Sequence, residues 1–221
     1  LGRDLLAAVS AHARSLGAAH VTGRHAGAAG AAFAAAVGAA PGNSQAVSVL
    51  TLPATIVPRP VAGYTLRSWT GRAPGELVVS YARARNAIAD APHSAGFAEA
   101  PWTVEVVRDI EEALLRQGRE QRVTVALDGG GEVAGYTEVR VGPEPGAVAG
   151  VDDTAVTAAH RGRGLATWIK QESMRLLAAD RADVTTVTTS NDVTNGPMLA
   201  VNRRLGFTRV STWTDAVLTL G

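Results

Sequence analysis

The chain has 221 residues, enough for one large domain or two small ones, and 46% of them are hydrophobic, ample for a packed core. A formal net charge of +1, with 21 basic and 20 acidic residues, excludes a nucleic-acid groove or an acidic tail as the organising feature. The absence of cysteine excludes disulfides, thiolate metal sites and a cysteine nucleophile, and suits a reducing cytoplasm, the expected location. The five histidines, His12, His20, His25, His93 and His160, lack metal-ligand spacing, so no metal is expected. No run approaches the roughly 20 apolar residues that a membrane span needs, and the expected partners include neither membrane nor nucleic acid.

Taken in order, residues 2–16 carry Leu5, Leu6, Val9, Ala13 and Leu16 on one helical face, with Gly17 as the C-cap. A strand over residues 20–23, an alanine-rich helix over 28–37 and a strand over 46–52 are expected next. Residues 53–60 hold three prolines and read as a linker. An alternating run at 63–69 predicts a strand, and residues 76–89 and 102–117 predict helices, the first introduced by Pro74. Strands over 122–127 and 132–141 are joined by Asp128-Gly129-Gly130-Gly131, a hairpin signal. A proline-bearing loop over 142–150 leads into the β-branched stretch from Val151 to Thr157.

The densest chemistry lies in His160-Arg161-Gly162-Arg163-Gly164-Leu165-Ala166, where strand gives way to a helix marked by Trp168, Ile169, Leu176 and Leu177. The first N–H groups of a helix have no intrahelical partner, and glycines let a phosphate reach them without a Cβ in the way. Arg161 and Arg163 add charge-assisted hydrogen bonds, so a phosphate or pyrophosphate matches this junction best. The plainer alternative, a tight turn with two solvated arginines, stays open on this stretch alone. A Walker loop is excluded because Leu165 follows Gly164, and a dinucleotide fingerprint is excluded because Thr167 stands where a third Gly or Ala is needed.

The run Arg161 to Ala166 resembles the (Gln/Arg)-x-x-Gly-x-(Gly/Ala) loop of the GNAT superfamily of acyl-CoA N-acyltransferases, which holds the coenzyme A pyrophosphate. The resemblance extends through a strand at 184–190, Asn191, Asn195 and Met198-Leu-Ala-Val-Asn202-Arg-Arg-Leu-Gly206-Phe207. It implies an α/β fold, a mixed sheet flanked by helices, and acetyl-CoA as cosubstrate. It also implies that Thr154, Ala155 and Val156 bind the acyl-pantetheine arm through their backbone. Asn191, Asn195 and Asn202 then line the gap beside it, with Asn195 also suited to cap the last helix.

Two positions depart from that family's pattern. Gly150 stands where many members carry a basic glutamate, and Asn202 where many carry a tyrosine that protonates the leaving thiolate. Glu138, Asp152 and Asp153 are therefore the candidate catalytic carboxylates, each with the alternative of being a solvated strand-end acid. The expected activity is acetyl transfer to a primary amine of a small molecule. The alternative is a non-catalytic acyl-CoA-binding or interaction module. A Rossmann-type nucleotide binder ranks third, because a hairpin precedes the loop where a parallel βαβ unit is required.

Laying Leu205-Gly206 on Val37-Gly38 gives an offset of 168 residues (206 − 38), which also places Val217-Leu218-Thr219-Leu220 on Val49-Leu50-Thr51-Leu52. Residues 1–52 thus read as the C-terminal half of a first copy, 53–60 as a linker and 61–221 as a complete copy. This resembles tandem enzymes of the superfamily, mycothiol synthase among them, with the first copy incomplete. Such a half-copy is expected to be completed by residues upstream of Leu1, to pack on the second copy, or to pair in a homodimer.

Overall fold

A computed structural model describes residues 1–90 and 101–220. The elements run α1 (Gly2–Ser15), β1 (His20–Ala26), α2 (Gly27–Ala36), β2 (Ala40–Thr51), β3 (Thr65–Thr70) and α3 (Val78–Arg85), which tightens into a 3₁₀ turn at Asn86–Asp90. There follow α4 (Val104–Arg116), β4 (Glu120–Leu127), β5 (Val133–Val141), β6 (Ala149–Val156), α5 (Leu165–Asp180), β7 (Thr186–Asp192), α6 (Gly196–Arg204) and β8 (Thr208–Thr219). The stretch 91–100, which holds His93 and separates the two helices expected at 76–89 and 102–117, lies outside the described residues. Among the described residues no helix is long and apolar enough to cross a membrane.

Among the described residues eight strands form one open sheet in the order β1-β8-β2-β7-β6-β5-β4-β3. Every neighbouring pair is antiparallel except β6 and β7. The strands of residues 1–52 therefore share a sheet with those of 61–220, and β2 lies between β7 and β8 rather than beside its sequence neighbour β3.

The pairing register obeys the 168-residue offset. Shifting Ala40–Thr51 by it gives the bounds of β8, Thr208–Thr219. Ala40↔Val217 exchanges with Val49↔Thr208, Pro41↔Ala216 with Ser48↔Arg209, and Gln45↔Trp213 maps onto itself. The β1 ladder from His20↔Thr219 to Ala26↔Trp213 has the same form as the β7 ladder from Thr186↔Thr51 to Asp192↔Gln45, with β1 and β7 offset by 166 residues (186 − 20) instead of 168. Each half thus gives its last strand to the other half's penultimate one.

Packing follows the sheet's two faces. On one, Val139, Val141, Val151 and Val187 meet Met174 and Leu177 of α5, with Leu50, Leu52, Leu205 and Phe207 closing the cluster. On the other, Val78, Tyr81, Ala82 and Ala84 of α3 and Val107 of α4 cover Val123, Val125, Tyr136 and Ala155. Leu50 comes from the first half yet is only 4% exposed within the second half's core. Leu50→Ala should therefore destabilise the whole protein by about 2–5 kcal/mol, read as a loss in urea-unfolding free energy. Wild-type stability in that variant would contradict the insertion of β2.

Candidate active site

The glycine loop opens α5 as the sequence predicts. Gly162 and Gly164 hold φ of +74° and +87°, and a Cβ on either would meet nothing within 4 Å. The backbone conformation rather than crowding demands glycine here. Gly164 is the N-cap residue and no side chain caps the helix, so its first N–H groups face outward for an anion.

This loop borders a cavity of about 820 Å³. Thr154, Ala155 and Val156 line it, as do Arg161, Gly162, Gly164, Leu165 and Ala166; Arg163 does not. Arg161 is also turned inward, its Nε donating to the carbonyl of Val156 at 2.9 Å, which ties the loop to the end of β6. The cavity's additional cation is Arg204 of α6, which the sequence reading missed. Pro197, Val201 and Arg204 are spaced four and three apart on one helical stripe, a signal that was present in the sequence.

The cavity follows a gap in the sheet. β6 and β7 share only three parallel pairs, ending at Val151↔Thr189, and the two strands part beyond it. The three asparagines lie along the β7–α6 side of this gap in different roles. Asn195 lines the cavity and caps α6, accepting from the N–H of Met198 at 3.2 Å. Asn191 on β7 and Asn202 on α6 are joined to each other and to Lys170 of α5, outside the cavity lining. Lys170 is 1% exposed, and burial pulls its ammonium down to about 7.

The three carboxylates come together on the face covered by α3 and α4, and none lines the cavity. β5 and β6 pair as Thr137↔Thr154 and next as Val139↔Val151, so Asp152 and Asp153 both stand opposite Glu138 in a bulge. Asp152 keeps the face of Gly150, bonded to Arg140 opposite that glycine, while the bulge brings Asp153 to the same face, where strict alternation would have placed it on the other. Val151 packs with α5 while Ala155, four residues on, packs with α3 and α4.

Two arginines bind the three acids together. Arg85 of α3 donates to Glu138 Oε2 at 2.7 Å and to Asp153 Oδ2 at 2.8 Å, with Trp102 stacked 3.5 Å from its guanidinium carbon. Arg140 reaches Glu138 Oε1 at 2.8 Å and Asp152 Oδ2 at 2.7 Å. Glu138 is 0% exposed and accepts from Arg85 and Tyr81 on Oε2 and from Arg140 on Oε1, so it is shut away from an incoming substrate by burial. Asp152 keeps a 39% exposed side chain, and burial raises its carboxyl to about 6 against the pull of Arg140. Burial raises Asp153 as well, opposed by Arg85. Arg85→Met would leave Glu138 and Asp153 without that guanidinium, and should cost about 3–5 kcal/mol, visible as a lowered melting temperature. An unchanged melting temperature would contradict the pairing.

Residues 84–207 match the model of the Acetyltransferase (GNAT) family, over half of the chain. Among solved structures the chain is similar to a tandem GNAT protein from the clavulanic acid biosynthesis pathway, solved without AcCoA. The identity is 27% and the TM-score 0.83, across 100% of this chain and 70% of that one. A GCN5-related N-acetyltransferase from Sphaerobacter thermophilus gives 20% identity and a TM-score of 0.68, across 91% of this chain and 61% of that one. Another from Kribbella flavida gives 15% and 0.54, across 83% and 61%. The chain thus spans less than two thirds of the length of the latter two. No curated protein sequence matches the chain.

Proposed function

The chain belongs to the acetyltransferase (GNAT) family, and we propose that it moves an acetyl group from acetyl-CoA to a primary amine of a small molecule. The observation that carries this reading is the continuity of one cavity from the glycine loop, through the backbone of Thr154 to Val156, to the N-terminus of α6. The loop and Arg204 hold the phosphates. The strip of β6 beyond Val151, paired on its β5 side alone, offers its other backbone edge to the pantetheine arm.

In the transfer, a neutral amine attacks the thioester carbonyl carbon and the carbonyl electrons move to oxygen. The C–S bond then breaks, the thiolate leaves with coenzyme A, and the amine's proton passes to a base. A backbone N–H of the unpaired strip stabilises the oxyanion. Among the three carboxylates Asp152 is the best base: it alone combines substantial exposure with a carboxyl value near neutrality. Glu138 and Asp153 hold its surroundings through the two arginines.

The register symmetry and the tandem relative support a further proposal, that residues 1–52 are the second half of another copy of this fold, joined through 53–60 to a copy at 61–221.

The test of function is a panel of primary amines, read as coenzyme A release from acetyl-CoA beside calorimetric binding of acetyl-CoA. Turnover is expected with at least one amine. Tight binding without turnover on any of them would favour the rival, a non-catalytic acyl-CoA-binding module. Gly164→Val places a branched side chain at φ +87° and should weaken acetyl-CoA binding at least tenfold, about 1.4 kcal/mol; unchanged affinity in a folded variant would dismiss the loop. The Asp152 carboxyl is protonated below about 6, so kcat/KM should rise as pH climbs through that value. Asp152→Asn should abolish that limb and lower the rate about 10²–10⁴-fold, and a surviving limb would remove Asp152 from the role.

A further inference from the structure

Among the described residues no carboxylate pairs with the buried Lys170. Its Nζ donates to Asn202 Oδ1 at 2.7 Å, and the ring of Phe207 lies 5.4 Å away. Asn202, 2% exposed, in turn donates from Nδ2 to Asn191 Oδ1 at 2.7 Å. A buried cation with one neutral partner is costly to keep, and a structural need alone would be met by an apolar side chain of that length.

The order of donors in this chain of three is fixed by chemistry. An ammonium has no lone pair, so the atom of Asn202 that faces it must be the oxygen. The nitrogen of Asn202 then faces Asn191, so the atom of Asn191 that meets it must also be oxygen. What remains is the nitrogen of Asn191, for which the hydrogen bonds among the described residues supply no acceptor. The same-face succession Val187, Thr189, Asn191 on unbulged β7 puts that carboxamide on the α5–α6 side, two residues past the last rung at Val151↔Thr189.

We propose that Lys170 is a positioning residue that acts through Asn202 to hold the Asn191 carboxamide with its N–H groups toward the gap between β6 and β7, where they donate to the thioester of acetyl-CoA. The proposal rests on the acetyl-CoA reading above. Without the ammonium, Asn202 and Asn191 can each turn over, and the gap then meets a carbonyl oxygen as readily as an N–H.

Asn202→Asp separates this role from a structural one. A carboxylate at that position still satisfies Lys170, as a closer ion pair, but it can only accept. Asn191 must then give it the nitrogen and turn its oxygen to the gap. Calorimetry at pH 6, where Lys170 is an ammonium, should show acetyl-CoA bound about tenfold more weakly by Asn202→Asp, with a melting temperature no lower than wild type. Adenosine 3′,5′-bisphosphate, which carries phosphates but no pantetheine arm, should bind both proteins equally. Asn191→Asp should repeat the pattern, and Lys170→Met should lose a smaller factor for acetyl-CoA alone. Equal acetyl-CoA affinity in Asn202→Asp and wild type, or an equal loss for both ligands, overturns the positioning role while leaving the function standing. Wild-type protein that binds neither ligand overturns both.

Discussion

Three hydrogen-bonded rungs join β6 to β7, and the site depends on their ending where they do. Past Val151 and Thr189 the strands separate, leaving one edge of β6 with backbone groups that no neighbouring strand takes up. A gap of this kind would close or fray unless both sides were held from behind. β6 is held by β5 across the bulge, and β7 by the seven-pair ladder to β2. Residues 1–52 are thus part of what keeps the gap open, because the strand behind β7 comes from them.

The bulge does for the three carboxylates what the broken ladder does for the cavity. By setting two residues against one, it gathers Asp152 and Asp153 around Glu138, and Arg85 and Arg140 then bind three acids with two cations. Ion pairs built around a fully buried acid are weak evidence for stability. Their effect is geometric: Arg85 fixes α3, β5 and β6 to one another, and the 3₁₀ turn directly after it brings Ala87 and Ile88 to the cavity wall. The charge network lies outside the cavity lining but shares β6 and the end of α3 with it as a common wall.

Much of this was legible in the sequence. The glycine loop, the hairpin at Asp128 to Gly131, the Asn195 cap and the order of elements rest on local signals, and local signals survive folding. The 168-residue offset was legible too, but not its consequence. Periodicity says that residues 46–52 form a strand and nothing about which strands flank it, so the place of β2 between β7 and β8 was out of reach. The bulge was hidden for a similar reason: alternation assumes an unbroken ladder, and one extra residue reverses every later side chain. Arg85 and Lys170 escaped notice because a charged residue on an amphipathic helix is solvated far more often than buried. Only the tertiary contacts reveal that one bridges two acids and the other faces a single amide.

The account's central claim is that the coenzyme lies along one continuous path, from the loop at Arg161 to Ala166 into the gap between β6 and β7. Hydrogen–deuterium exchange with and without acetyl-CoA tests it most directly, because the claim concerns backbone N–H groups. Slowed exchange is predicted in residues 154–156 and 161–167, with little change in β1, β3 and β4. Protection confined to the α3–α4 face, or none in the loop when acetyl-CoA is bound, would contradict it.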